Sequence, residues 1–451
     1  MSRVFVVDQD RQPLMPCTPA KARRLLQQGD AAVLRRMPFV IILKRSVVSP
    51  GAPALRLKLD PGSKTTGIAV VNDKSGEVVW AGELTHRGQK IKDDLLSRAS
   101  LRRTRRNRKT RYRPARWAHR TKPKGWLAPS LMHRVYTIQT WVQRLRRWCP
   151  IQAISMELVS FDTQALENPE ISGVEYQQGE LHGYVVREYL LKKWGHKCAY
   201  CGTGIGAWEA SKRKHVPLEV EHITPKSKGG SNRVSNLTLA CRPCNERKGN
   251  KPIEEFLKRK PDVLKRIKAQ AKAPLKDAAA VNSTRWALFN ALKETGLPVE
   301  CGTGGRTKWN RIRRDIPKGH WQDAACVGAS TPDTLQTDHV RPLYIKCMGH
   351  GTRQMVITDK YGFPKSHKER IKQRFGFATG DLAYANVPKG KNRGVWTGRV
   401  TVRKKPSFML DAGGRRCDGI HPKYMRLLQR GDGYLYSYDA PVDPRKKKAT
   451  K

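Results

Sequence analysis

The sequence predicts a multidomain α/β protein, and three observations lead there. The chain has 451 residues, too many for one ordinary core and enough for about three domains. Short runs with the strand period of two are interleaved with segments of helical period. Two matched cysteine pairs mark off a separate unit between them. Charge narrows the function. Lys plus Arg is 89 and Asp plus Glu is 38, a formal net charge of +51. A compact chain this basic repels itself unless a polyanion neutralises it, and nucleic acid is the obvious one. No apolar run approaches the ~18 residues of a membrane span. The start, MSRVFVVDQD, lacks the basic and apolar regions of a secretory leader, so none is predicted. Hydrophobic residues at 38% and 11 Trp can build real cores, which excludes disorder throughout.

The first 50 residues read as a small βαβ-type unit. Val4–Val7 is an apolar run, and Pro13-Leu14-Met15-Pro16 reads as a turn. Thr18 before Pro19 is an N-cap followed by proline at the first helical position, predicting a helix over 20–28 that ends at Gly29. Residues 31–35 and 39–43 close the unit as strands. It suits a structural cap as well as a recognition element. A Ser/Pro/Gly linker at 49–53 leads to Leu55–Asp60, where Leu55, Leu57 and Leu59 alternate with Arg56, Lys58 and Asp60. A turn over 61–67 and strands at 68–72 and 77–84 complete a meander with an acid at the end of its first strand.

Residues 98–124 carry 13 Lys or Arg and no acid. The part from 100 to 112 has no Gly or Pro and can be helical with arginines all round, a surface that no protein core accepts. In isolation such a run is usually a tail; its place between structured segments favours a nucleic-acid groove. Apolar residues at 131, 135, 138, 141, 142 and 145 predict a helix over 131–149. A strand follows at 151–158 with Glu157 near its end, then an amphipathic helix at 180–194. An alanine-rich helix is expected at 275–292, and strands at 376–387, 394–402, 406–410 and 434–438. The basic residues 445–448 read as a tail.

The strongest motif is Cys198-Ala-Tyr-Cys201 with Cys241-Arg-Pro-Cys244. Four thiolates in two such pairs suit a tetrahedral, structural Zn²⁺ with no open position. The other six cysteines are scattered, as in a reducing compartment. The 39 residues between the pairs hold Glu219-Val-Glu221-His222-Ile223, then Asn236-Leu237; Cys244-Asn245 and Lys248-Gly249 follow.

These residues resemble the HNH endonuclease motif, a ββα-metal fold pinned by two CxxC knuckles. The resemblance implies one Mg²⁺ held by Glu221 and Asn245, His222 as the general base that deprotonates water, and Asn236 as a brace for the histidine loop. An imidazole suits a general base and a hard cation suits phosphate oxygens. The family more often has Asp where Glu221 stands.

A second constellation is split along the chain. Asp60, Glu157, His320 and Asp323 together resemble the RuvC nuclease, an RNase H-like fold. That resemblance implies that Asp60, Glu157 and Asp323 gather around two Mg²⁺ ions, which offset their mutual repulsion, and that His320 helps to activate water. Glu167, Glu170, Glu175 and Glu180 are the competitors for Glu157's place.

The order of these parts resembles the IscB family of transposon-encoded, RNA-guided nucleases, relatives of the type II CRISPR effectors, over nearly the whole chain. It implies a split RNase H-like (RuvC) core with an inserted ββα-metal HNH domain, an arginine-rich bridge helix and a β-rich C-terminal domain. The expected divisions are an N-terminal PLMP domain at 1–53, RuvC segments at 54–90, 126–190 and 266–332, a bridge helix and linker at 91–125, the HNH domain at 191–265, and a C-terminal domain at 333–451. The last would contact guide RNA and flanking DNA. Arg98, Arg102, Arg103, Arg105, Arg106, Arg108, Lys109, Arg111 and Arg113 would grip nucleic-acid phosphates without reading bases. The implied partners are a non-coding guide RNA (ωRNA) and double-stranded target DNA, with the protein monomeric on its RNA. No membrane partner is implied, and the expected location is a bacterial cytoplasm. HNH would cut the guide-paired strand and RuvC the displaced one. An unguided HNH homing or restriction-type nuclease shares the metal chemistry but leaves the arginine helix unexplained. A non-enzymatic nucleic-acid binder leaves the paired acids and histidines unexplained.

Overall fold

The computed structural model describes residues 3–48, 51, 54–107, 121, 123, 125–159, 187, 189–191, 193–204, 208–209, 214–215, 217–231, 234–272, 278–349, 355–361 and 363–439. At its centre is a seven-stranded sheet. Its spatial order is Val299–Thr303, Ile151–Val159, Leu55–Asp60, Thr65–Asn72, Val78–Thr85, Leu343–Cys347 and Tyr434–Ser437. The middle three strands form an antiparallel meander. Ile151–Val159 runs parallel to Leu55–Asp60, and Val299–Thr303 runs parallel to Ile151–Val159. The two parallel neighbours at 151–159 and 299–303 are separated in sequence by the whole cysteine-bearing unit.

The alternation at Leu55–Asp60 sets the two faces of this sheet. Leu55, Leu57 and Leu59 join Val135, Ile138 and Trp141 of the helix Pro129–Trp148 in one core. On the opposite face Ala69, Val71 and Ala81 pack with Trp321 and Ala324 of the short helix His320–Ala325. Glycine makes that contact possible. A Cβ on Gly67 would lie 1.8 Å from the His320 carbonyl oxygen. Gly67 pairs with Asp60 across the strands, so the helix docks directly beside the acid.

The N-terminal unit is a four-stranded sheet, in order Pro13–Cys17, Val4–Val7, Val40–Leu43, Ala31–Arg35, covered by the helix Pro19–Gln27. The Thr18 hydroxyl accepts from the Lys21 amide, the expected cap. Pro13–Cys17 is a strand rather than the expected turn. It lies at the sheet edge, with Pro13 opening the strand and Pro16 in the register shift beside Val4–Val6, positions where a strand accepts proline. The turn expected over 61–67 is also shorter, because Thr65–Asn72 already pairs with the next strand from Thr65 onward.

The basic segment starts earlier than expected, as the helix Gly88–Asn107. Arg98, Arg102 and Arg103 are exposed on it, and Arg106 is half-buried. The Arg105 side chain and residues Arg108, Lys109, Arg111 and Arg113 lie outside the described residues, as do Glu167, Glu170, Glu175 and Glu180. The region 333–451 does not form one separate sheet. Its strands Leu343–Cys347 and Tyr434–Ser437 extend the central sheet, because Leu343–Cys347 pairs in parallel with Val78–Thr85. Between them lies a five-stranded antiparallel sheet built from 382–429 around Phe408, Leu410 and Val400. Among the described residues no helix is long and apolar enough to cross a membrane.

Candidate nuclease sites

The cysteine unit has its own core, built from Tyr189, Leu190, Trp194, Leu218, Leu237, Leu239 and Ile253. Leu218–His222 pairs antiparallel with Leu237–Cys241, and the helix Arg242–Lys248 follows at once, giving two strands and a helix. The sulfurs of Cys198, Cys201, Cys241 and Cys244 all lie within 4.8 Å of one another. The Cys201 and Cys241 sulfurs are 3.6 Å apart. Four sulfurs about 2.3 Å from a tetrahedral zinc would be about 3.8 Å apart, so the set fits that ion.

The loop after His222 is pinned on several sides. Asn236 Oδ1 accepts from the Thr224 amide at 2.9 Å, and its Nδ2 donates to the carbonyls of Thr224 and Ser231. The Ile223 amide donates to the Asn236 carbonyl at 2.8 Å. Gly230 passes so close to Thr224 that a Cβ would lie 1.9 Å from its carbonyl oxygen. The result is an open cleft of about 380 Å³ lined by Glu221, His222, Lys226, Ser227 and Asn245 among others. His222, Glu221 and Asn245 are therefore brought together.

Glu221 does not stand free in that cleft. It is buried, its Oε2 accepts from the Tyr200 hydroxyl at 2.5 Å, and its Oε1 accepts from Lys248 Nζ at 2.6 Å. Lys248 is also buried and donates to the His222 carbonyl at 2.8 Å. Burial, with the Glu221 charge added, pushes the Tyr200 phenol well above its ordinary range. The clasp fixes the backbone at the predicted base. Asn245 Nδ2 donates to Glu219 Oε2 at 2.8 Å. Tyr200, Lys248 and Glu219 were not assigned roles from sequence. The period of two along Leu218–His222 puts Glu219 on the face of Glu221 and was the available signal.

At the carboxyl end of the central strands, Asp60 and Glu157 lie on the face that receives the helix His320–Ala325. Glu157 is buried and accepts from Arg285 at 3.0 Å. Arg285, itself buried on the helix Ala278–Lys293, also donates to the Pro61 carbonyl at 2.9 Å, tying the two strand ends together. Asp323 lies 2.9 Å from Arg311. Burial raises the Asp323 pKa against the pull of Arg311, and the Glu157 charge adds to the rise, so those carboxylates lie within electrostatic reach. Glu157 and Asp323 are each paired with an arginine, and the three carboxylates are not all within 4.8 Å of one another. Their hard oxygens suit Mg²⁺. His320 opens the helix that carries Asp323.

Beneath this end Lys58 is wholly buried and donates to the Val327 carbonyl at 2.8 Å and to Thr331 Oγ1 at 3.0 Å. Burial lowers its pKa to about 8 despite Glu300 and Asp73. On the other face His86, His133 and Cys347 lie close together. There His86 bonds through both ring nitrogens, to Thr66 at 2.7 Å and Thr137 at 3.1 Å, while His133 Nε2 accepts from the Arg87 amide. Their lone pairs are used within the protein, which makes this a hydrogen-bonded knot. A cavity of about 220 Å³ lined by Phe5, Phe39, Trp80 and Tyr438 lies away from every predicted site residue.

Known families overlap these regions. The RRXRR protein family matches residues 4–179, and the HNH endonuclease family matches residues 198–251. The chain thus carries an HNH endonuclease domain. Among solved structures it is similar to Streptococcus thermophilus Cas9 in complex with the GGAA PAM, at 16% identity over 60% of this chain and 32% of that one, TM-score 0.22. It is also similar to the type II-C Cas9 of Actinomyces naeslundii, at 18% identity over 50% of this chain and 27% of that one, TM-score 0.18. The chain spans less than a third of the length of either protein. No curated protein matches it.

Proposed function

We propose that the chain is an RNA-guided DNA endonuclease of the IscB type, with two nuclease centres on one polycation. The observation that carries this reading is the position of the HNH endonuclease domain. It lies in sequence between two parallel strands that are neighbours in the central sheet, at whose carboxyl end Asp60 and Glu157 stand. The meander followed by two parallel strands supports a split RNase H-like core.

In the HNH cleft, His222 takes the proton of the attacking water. Lys248 holds the His222 backbone and Asn236 holds its loop, so the imidazole meets the scissile phosphate in a fixed pose. Asn245 and Glu221 are the proposed holders of Mg²⁺, with Glu221 exchanging part of its Tyr200 and Lys248 contacts to do so. A bound cation would stabilise charge on the phosphate and the leaving oxygen. Cys198, Cys201, Cys241 and Cys244 would hold a Zn²⁺ that ties the strands and helix together. At the sheet end, Asp60, Glu157 and Asp323 are the proposed carboxylates of the second centre, with His320 beside them. The exposed arginines of Gly88–Asn107 are the proposed grip on the guide backbone.

The test is to purify the chain, sequence any RNA bound to it, and supply a plasmid that matches that RNA beside randomised flanks. The proposal expects a defined RNA, and Mg²⁺-dependent cleavage that RNase treatment abolishes. Cleavage indifferent to RNase would favour an unguided HNH nuclease instead.

A further inference from the structure

Beside the HNH cleft, in contact with its lining residue Asn245, stands a carboxylate to which neither the motif nor the family resemblance gives a role. Glu219 stands two residues before Glu221 on Leu218–His222, so the two share a strand face. Their surroundings differ. Glu221 has both oxygens engaged, by Tyr200 and Lys248. Glu219 is half-buried, and its Oε2 receives Nδ2 of Asn245 at 2.8 Å. The two ends of an asparagine amide are nearly the same size, and the surrounding partners decide which end faces where. An ionised carboxylate only accepts hydrogen bonds, so it binds the NH₂ end and not the oxygen. Capture of Nδ2 therefore leaves Oδ1, the end able to ligate a hard cation, for the cleft that Asn245 lines.

We propose that Glu219 is the positioning residue that orients the Asn245 amide for cation binding in the HNH cleft. With Glu219 absent, the amide turns freely, and half of its orientations present N–H groups that repel a cation. Partners of this outer kind commonly change metal affinity by about 10- to 100-fold. The inference rests on the reading of residues 198–251 as a metal-dependent nuclease.

The test uses the full chain with Asp60→Ala and Asp323→Ala to silence the sheet-end centre. Two quantities are measured: Mn²⁺ binding, from the loss of the free-ion electron paramagnetic resonance signal, and nicking of the guide-paired strand against Mg²⁺ concentration. Glu219→Ala should weaken Mn²⁺ binding about 10-fold or more, raise the half-maximal Mg²⁺ concentration in step, and lower the maximal rate much less. The decisive arm adds Asn245→Asp, whose carboxylate offers an oxygen whichever way it turns. There Glu219→Ala should cost nothing, or tighten Mn²⁺ binding by removing a like charge. Equal losses in both backgrounds would make Glu219 a ligand or a structural residue and overturn the proposal. No loss beside Asn245 would overturn it too. If the parent chain nicks nothing while Mn²⁺ binding responds as described, the nuclease reading fails and the orienting role stands.

Discussion

In the HNH cleft the buried carboxylate Glu221 is held by Tyr200 and Lys248, which lie 21 and 27 positions away along the chain. At the end of the central sheet Glu157 is held by Arg285, 128 positions away, and Asp323 by Arg311. Both regions keep acids at low exposure and neutralise them with protein cations. The first does so inside one short unit with its own core and a cysteine pin. The second draws its parts from three distant stretches that meet only once the sheet has formed. A local site can therefore fail alone, whereas the distributed site stands or falls with the central fold.

That contrast is broken most severely at the cysteines. Structural zinc contributes about 10–16 kcal/mol to small modules of this kind. Cys241→Ser should empty the zinc content and open residues 198–251 to limited proteolysis. Displaced-strand nicking should survive. Proteolysis spreading at once to the central sheet would show that the unit is not autonomous. A smaller effect is expected at Arg285. Its side chain and that of Glu157 are 5% and 8% exposed, so Arg285→Met strands a buried charge, at a cost of about 3–5 kcal/mol. Chemical denaturation should show this loss, and adding Glu157→Gln should recover most of it. A loss below 1 kcal/mol would mean that water reaches the pair.

Lys58 gives the next effect, and its sign can be worked out. Its pKa is about 8 in the fold against an ordinary value of 10.5, so between those limits the unfolded chain binds the extra proton. The stability owed to Lys58 therefore rises with pH through that window. Relative to Lys58→Met, the wild type should gain up to about 3 kcal/mol between pH 7 and 10.5. A flat difference would place water at the ammonium. The smallest effect is expected on the exposed basic helix, where Lys90 and Asp94 pair at 3.4 Å in solvent. Asp94→Asn should change stability by less than about 0.5 kcal/mol in a thermal melt; a larger change would show that this helix is buried against something.

What the sequence made legible follows the same division. The paired cysteines were legible from their spacing, and His222, Asn236 and Asn245 from the HNH resemblance, because all of them share one short stretch. The Asp60 strand was legible from its alternation. Its relation to Asp323 came only from the RuvC resemblance and not from the local pattern, because it depends on a helix docking against Gly67, a residue that reads only as part of a turn. Arg285 and Arg311 were invisible among 89 basic residues, since nothing local separates a buried guanidinium from a solvated one. The Pro13 segment misled for a local reason: its prolines signal a turn equally well when they occupy a sheet edge.

The most direct test of two independent centres on one chain is cleavage of a guide-matched duplex labelled differently on its two strands. The account predicts that His222→Ala cuts only the displaced strand and Asp60→Ala only the paired strand, with both cuts lost in the double variant. Double-strand cutting by either single variant, or loss of both cuts in one of them while the chain stays folded, would contradict it.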